Sequence, residues 1–309
     1  MDSIRVDELY SLFRRCLPGA VRAEDTACAI LADEQNTVLE RRDAEGALVA
    51  ASVMHGDVIY MLCVDEHMRG RGIGSELLAE SENVMRGRGF DSVRVGAGDE
   101  YLVPGVPVRT PPHDEALPLR LDAWLNDDAR RFFEKRGYVH DWGECNCFDM
   151  RMELKELPCD APAVGEERAG ILCRWAREED MPAACACTDD AEPGFTRYYA
   201  DKTLYVPGNP SRALVAECEG GVRGVLIVSR ETEGKGLGSV GCTAVANAWQ
   251  GRGIASRMVL TGTRSLRDSG LEQGFLGYTY SGLERLYGRS GYRVSALYFM
   301  ARKALERND

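Results

Sequence analysis

The chain reads as an α+β protein in which one structural unit is used twice. Two observations carry this. The loop Arg69-Gly70-Arg71-Gly72-Ile73-Gly74-Ser75 returns as Gln250-Gly251-Arg252-Gly253-Ile254-Ala255-Ser256, 181 positions later (250 − 69). Around each copy the elements follow in the same order: a hairpin, a third strand, the loop, a helix, a fourth strand and a closing helix. A length of 309 residues leaves room for two domains that each bury a core of their own.

Each element has its own signal. In the first copy Thr37-Val38-Leu39-Glu40 turns at Glu45-Gly46 into Leu48-Val49-Ala50-Ala51-Ser52-Val53. In the second, Ala213-Leu214-Val215-Ala216 turns at Gly220-Gly221 into Val225-Leu226-Ile227-Val228. Short β-branched runs bounded by glycine turns predict hairpins. The third strands are Val58-Ile59-Tyr60-Met61-Leu62-Cys63-Val64 and Gly238-Ser239-Val240-Gly241-Cys242-Thr243-Ala244-Val245, each leading into its loop. Beyond the loops, Leu77, Leu78, Val84 and Met85, and Ala255, Met258, Val259 and Leu266, keep helical spacing, with Gly87 and Gly270 as the expected helix ends. Fourth strands follow at Asp91-Ser92-Val93-Arg94-Val95-Gly96 and Gly274-Phe275-Leu276-Gly277-Tyr278. The closing helices carry Ala129, Phe132 and Phe133 before Gly137-Tyr138, and Leu283, Leu286 and Tyr287 before Gly291-Tyr292.

At the closing helices the offset falls to 154 (291 − 137), so the first half carries about 27 additional residues (181 − 154). The proline-rich stretch 101–118 accounts for them. Its Pro104-Gly105-Val106-Pro107 and Pro111-Pro112 cannot extend a helix or a central strand, which predicts a surface excursion or a subunit contact. Residues 156–167 show no periodicity and read as the linker. The expected domains are therefore 1–157, with an insertion near 98–125, and 168–309.

Composition limits the partners. A hydrophobic fraction of 44% with 28% charged residues is that of an ordinary globular chain. A net charge of −11 argues against nucleic acid and anionic membranes, which need a basic face, and suits a small cationic partner such as an amine. No apolar run approaches the ~18 residues of a membrane-crossing helix. Asp2, Arg5, Asp7 and Glu8 replace the apolar core of a signal peptide, so cytoplasm is the expected compartment. The pairs Cys145/Cys147 and Cys185/Cys187 are too closely spaced for a structural zinc site. Most of the eleven cysteines are expected to be reduced, buried and without a metal.

The repeated loop sets small residues so that successive backbone N–H groups turn toward one point at a helix start, which makes an anion cradle. It lacks the Gly-Lys-Ser/Thr of a P-loop, and its third small residue falls one place early for a dinucleotide-binding fingerprint. Val64-x4-Arg69-Gly70-x-Gly72-x-Gly74 and Val245-x4-Gln250-Gly251-x-Gly253-x-Ala255 resemble motif A of the GNAT superfamily of N-acetyltransferases. Asn126-x2-Ala129-x2-Phe132-Phe133-Glu134-Lys135-Arg136-Gly137-Tyr138 resembles that family's closing helix and strand. The resemblance covers the chain as two copies, as in tandem GNAT proteins. It implies, in each copy, a mixed, splayed, mostly antiparallel sheet flanked by helices, with acetyl-CoA in the cleft. The cofactor-binding residues it implies are Leu62, Val64, Arg69, Gly70, Arg71, Gly72, Ile73, Gly74, Ser75 and Asn126. In the second copy they are Thr243, Val245, Gln250, Gly251, Arg252, Gly253, Ile254, Ala255 and Ser256.

The two halves differ at the chemistry. In the family a tyrosine of the closing helix often protonates the departing thiolate, and alignment puts Phe133 and Tyr287 at that place. Only Tyr287 can donate a proton. The expected activity is acetyl transfer to a primary amine of a small molecule by the C-terminal copy, with Tyr287 catalytic. Alternatives are a CoA-binding sensor or assembly module without turnover, and a protein lysine acetyltransferase. The general base is left open between water, an amine that arrives deprotonated and a carboxylate such as Glu217. A monomer or homodimer is expected. Phe195, Tyr198 and Tyr199 are candidates for the wall of an acceptor pocket.

Overall fold

The apolar runs read as strands align side by side, and the helix after each loop crosses back over them. The computed structural model describes residues 3–96, 100–109, 128–230 and 236–306. It divides into one unit of Met1–Phe148 with Ala296–Asp309 and a second of Asp149–Ser295.

In the first unit, helices α1 (Ser3–Cys16) and α2 (Glu24–Ala32) precede the antiparallel strands β1 (Thr37–Arg42), β2 (Leu48–His55) and β3 (Val58–Val64). Helix α3 (Ile73–Gly87) then carries the chain to β4 (Ser92–Val95), which runs parallel to β3. The core is Leu9, Leu12, Phe13, Leu31, Val53, Ile59, Leu77 and Leu78, all at most 1% exposed. The amphipathic spacing of α3 does what the sequence predicts, laying Leu77, Leu78, Ser81 and Met85 on the sheet. The glycine that matches Gly270 at the helix end is Gly89 rather than Gly87. Both have φ near the left-handed region, +85° and +83°, and each is followed by the same return bond, Phe90 N to Met85 O at 3.1 Å and Leu271 N to Leu266 O at 3.3 Å.

The unit is completed from the far end of the chain. Its sheet order is β1-β2-β3-β4-β15-β6, where β6 is Val139–His140 and β15 is Ala301–Ala304. Strand β15 pairs antiparallel with β4 on one side and β6 on the other. Its Lys303 Nζ lies 2.7 Å from Glu82, a carboxylate on α3 that also accepts from the Tyr138 hydroxyl at 3.1 Å. The sequence boundaries of 1–157 and 168–309 carry no hint of this return. The units divide at Phe148/Asp149, ahead of the linker, because β7 (Cys147–Glu153) is already committed to the second unit from Asp149 on. There Tyr278 N donates to Asp149 at 2.9 Å and Leu154 N to Glu272 O at 2.9 Å.

The expectation of a surface excursion over 101–118 is corrected where residues are described. Leu102, Val103, Val106 and Val108 are at most 6% exposed, and β5 (Val106–Arg109) pairs with β14 (Arg293–Phe299) at Leu297, Tyr298 and Phe299. Strand β5 is an edge strand, the position in a sheet that tolerates Pro107, whose nitrogen has no proton to donate.

The second unit repeats the plan. Strands β8 (Glu167–Arg168), β9 (Ile171–Trp175), β10 (Ser211–Cys218), β11 (Gly221–Ser229) and β12 (Leu237–Val245) are antiparallel neighbours. Helix α5 (Met181–Ala191) packs against β11 and β12 and is followed by the short α6 (Thr196–Tyr199), as α4 (Asp128–Glu134) precedes β6 in the first unit. Helix α7 (Ile254–Asp268) leads to β13 (Gln273–Tyr280), parallel to β12, and α8 (Glu284–Gly288) closes the unit. Helix α7 approaches the sheet at Gly262, where a Cβ would lie 3.0 Å from both Leu226 and Val240 and 3.2 Å from Val228. Gly262→Val is expected to push α7 off the sheet and lower stability by about 2 kcal/mol, measured by urea unfolding. An unchanged midpoint would mean that the contact is slack.

Of the eleven cysteines, five are buried (Cys63, Cys147, Cys173, Cys187 and Cys218), so burial is less general than composition predicts. Among the described residues, no helix is long and apolar enough to cross a membrane.

Candidate active site

Both units open at the same place. Strand β4 meets β3 only at Val58 and Ile59, and β13 meets β12 only at Leu237 and Gly238. Past these pairs the parallel strands part, and each cleft begins. The loop after the long strand closes one end of it. Gly72 and Gly253, the residues before α3 and α7, have φ of +87° and +81°, a conformation that costs an L side chain strain. No side chain caps either helix, so the first N–H groups are left pointing toward the cleft. A Cβ at Gly253 would meet nothing within 4 Å, so backbone angle rather than crowding demands glycine there. A Cβ at Gly74 would make ordinary contacts of 3.5 Å with Val64 and 3.6 Å with Phe132, which explains why its counterpart Ala255 is accommodated without crowding the loop.

Arg69 and Gln250 share a task that the motif alone does not reveal. Arg69 Nε donates to the Val64 carbonyl at 3.0 Å, and Gln250 Nε2 donates to the Val245 carbonyl at 3.1 Å. Each ties the loop back to the end of its strand. Asp65 caps the turn in the first unit by accepting from His67 N at 3.3 Å. Its counterpart Ala246 cannot, and Asp190 of α5 serves instead, accepting from Asn247 N at 2.7 Å. No sequence pattern announces that substitution.

The first cleft has a volume of about 720 Å³ and the second about 510 Å³. Leu62, Val64, Arg69, Gly70, Gly72, Ile73, Gly74 and Ser75 line the first. Thr243, Val245, Gln250, Gly251, Gly253, Ile254, Ala255 and Ser256 line the second. Arg71 and Arg252 line neither. Arg71 is exposed, and Arg252 lies 4.5 Å over the ring of Trp249, a residue of the second cleft. Asn126 falls outside the described residues. The sequence reading missed two charged residues of the second cleft, Arg289 on the segment after α8 and Glu192 at the end of α5. In the first cleft Arg136 crosses the Phe132 ring at 3.9 Å and donates to Ser75.

The closing segments superpose in their bonding. Arg136 N and Tyr138 N return to Phe133 O at 2.9 and 3.2 Å, and Ser290 N and Tyr292 N return to Tyr287 O at 3.0 and 3.3 Å. Phe133 and Tyr287 are thus structural equivalents. Phe133 lines the first cleft, whereas Tyr287, 5% exposed, sits behind the lining of the second and meets it through Thr243, whose Oγ1 lies 3.4 Å from its hydroxyl. Burial raises its phenol above the ordinary value, against the lowering effect of the Thr243 hydrogen bond. Leu62 stands where Thr243 does, 181 positions earlier (243 − 62). A hydrogen-bonded pair in the second unit is therefore an apolar pair in the first.

Thr243 sits in an irregular stretch of β12. Its register against β11 shifts between Val225 and Ile227, and Cys242 has φ +47°. Tyr199, fully buried, donates its hydroxyl to the Cys242 carbonyl at 2.7 Å and holds the bulge in place. It is a brace rather than an acceptor wall. Tyr198 is 41% exposed beneath Arg197, and Phe195 packs against the core. Glu217 is occupied as well, 2.9 Å from Arg174 Nε, and it does not line the cleft.

Comparison with known proteins fits this geometry. Residues 25–140 match the profile of the "Acetyltransferase (GNAT) domain". A GCN5-related glucosamine N-acetyltransferase region of a fungal multi-domain GH3 β-N-acetylglucosaminidase matches 96% of this chain at 19% identity and a TM-score of 0.71, and the chain spans 36% of that protein. A GCN5-related N-acetyltransferase from Sphaerobacter thermophilus matches 100% of this chain and 95% of its own at 19% identity, TM-score 0.65. A tandem GNAT protein from the clavulanic acid biosynthesis pathway matches 100% of this chain and 97% of its own at 16% identity, TM-score 0.67. A search of curated protein sequences found no relative.

Proposed function

We propose that the chain is a GNAT-type acyltransferase, a reading supported by the profile match over residues 25–140 and by the likeness in fold over both units, and that its second unit acetylates a primary amine of a small molecule from acetyl-CoA. The observation that carries the reading is the Thr243–Tyr287 pair beside the parted strand, with Leu62 and Phe133 in its place in the first unit.

The residues present fit a CoA-type ligand. Uncapped N–H groups at the start of α7 suit its pyrophosphate, and the left-handed Gly253 aims them. Arg289 adds a positive charge to the same cleft, and the free edge of β12 offers backbone groups to an amide-bearing arm. When bound, acetyl-CoA supplies an activated acyl group. Tyr287, held neutral by burial, is the proton donor to the leaving sulfur, and Thr243 fixes the direction of its hydroxyl. Glu192 is the carboxylate that meets an ammonium entering the cleft. The first unit, with Phe133, keeps the cradle and lacks the acid, so it binds without turnover.

The test is release of free thiol from acetyl-CoA across a panel of primary amines that includes glucosamine, the amine named for the fungal relative. Release is expected only when an amine is present, and Glu192→Gln is expected to raise the amine KM about tenfold. Binding of CoA without thiol release from any amine would leave a sensor or assembly module as the answer.

A further inference from the structure

Cys16 is the last residue of α1, and Cys63 lies on β3 beneath it. Both line the first unit's cleft, together with the segment Leu17, Pro18, Gly19 and Ala20 that follows α1. Arg69 lines the same cleft, and the Cys63 thiol and the Arg69 guanidinium are the groups that favour the Cys16 thiolate. Arg69 is held there, because its Nε is already committed to the Val64 carbonyl at 3.0 Å. Cys63 is 2% exposed, whereas Cys16 is half-buried at the cleft wall. A reachable sulfur and a second, hidden thiol that share one cleft with a guanidinium have the layout of an attacking and a resolving cysteine.

We propose that Cys16 and Cys63 form a thiol–disulfide exchange site that takes low-molecular-weight disulfides. The Cys16 thiolate attacks one sulfur of R–S–S–R. The S–S bond of the small molecule breaks, a Cys16–S–S–R bond forms, and one thiolate leaves to take up a proton. Cys63 then gives up its proton to water and attacks the Cys16 sulfur, which expels the second thiolate and closes a Cys16–Cys63 disulfide. The two cysteines lose two electrons, and the small disulfide is reduced to two thiols. The pair is asymmetric in the required sense. The hydrogen bond from Cys63, assisted by Arg69, lowers the Cys16 thiol to about 7 against its burial and the nearby Asp65. The same contact and complete burial raise Cys63. Elsewhere burial moves thiols the other way, as at Cys173 and Cys242, both pushed up to about 11.

The full-length reduced protein is treated at pH 7 with iodoacetamide, or with glutathione disulfide, and digested for peptide mass analysis. Cys16 is expected to alkylate about tenfold faster than Cys159, an exposed cysteine that serves as the internal reference. Glutathione disulfide is expected to yield a Cys16–Cys63 cross-linked peptide. Cys63→Ser is expected to stop at a glutathione adduct on Cys16, and Cys16→Ser to leave Cys63 unmodified. A Cys16 no faster than Cys159, or no Cys16–Cys63 cross-link in the wild-type chain, overturns the proposal. The wild-type map decides even where a variant does not fold, and it is independent of whether either cleft binds CoA.

Discussion

Tyr287→Phe is expected to lower kcat for amine acetylation about 100-fold while the affinity for CoA changes less than twofold. Positioned proton donors contribute on this scale. The substitution removes one oxygen from a buried ring and leaves the T-shaped contact with Tyr292, 6.1 Å between centroids, in place. The sign of the pH effect follows from burial. A phenol raised above its ordinary value stays protonated through the neutral and mildly alkaline range, so the wild-type rate keeps its donor there and loses it only as pH rises through the raised value. The variant should lack that alkaline limb. Equal kcat for the two proteins from pH 7 to 10 would remove Tyr287 from the chemistry and leave it as a core aromatic beside Thr243.

The second large effect concerns stoichiometry. Calorimetric titration with CoA is expected to give two sites per chain, because the uncapped helix start and the left-handed glycine before it occur in both units. Gly72→Val and Gly253→Val force a β-branched side chain to positive φ, a strain of about 1–3 kcal/mol that the loop relieves by moving its N–H groups. Each variant should lose one site, or weaken it more than tenfold, and keep the other. Only Gly253→Val should then abolish turnover. A wild-type titration with a single site would restrict the cradle to one unit.

Local chemistry made much of this legible in the sequence. The loop glycines, the amphipathic α3 and α7, and the hairpins are dictated by residues within a few positions of one another. The contrast between Phe133 and Tyr287 was visible because duplication supplies an internal control. What escaped joins residues far apart in the chain. Asp190 replaces the missing cap of Ala246 across 57 positions, and Tyr199 braces Cys242 across 43. The meeting of Cys16 with Cys63, and the burial of the proline-rich β5 as an edge strand, likewise depend on which surfaces the fold brings together. Carboxylates such as Glu217 looked available in the sequence because ion pairing with a distant arginine leaves no local pattern.

The strand that completes the first sheet also fixes the order in which the protein can be made. A nascent chain that has delivered Met1–Phe148 holds β4 and β6 with the place between them unfilled, and Glu82 without its lysine. Ala301–Ala304 leaves the ribosome only after the whole second unit, roughly eight to thirty seconds later at ~5–20 residues per second. The unit translated first is thus the unit finished last. Through that interval its two bare strand edges are open to unwanted pairing. A gene cut at the linker would make the condition permanent, giving an amino-terminal product without β15 and a carboxy-terminal product without β7.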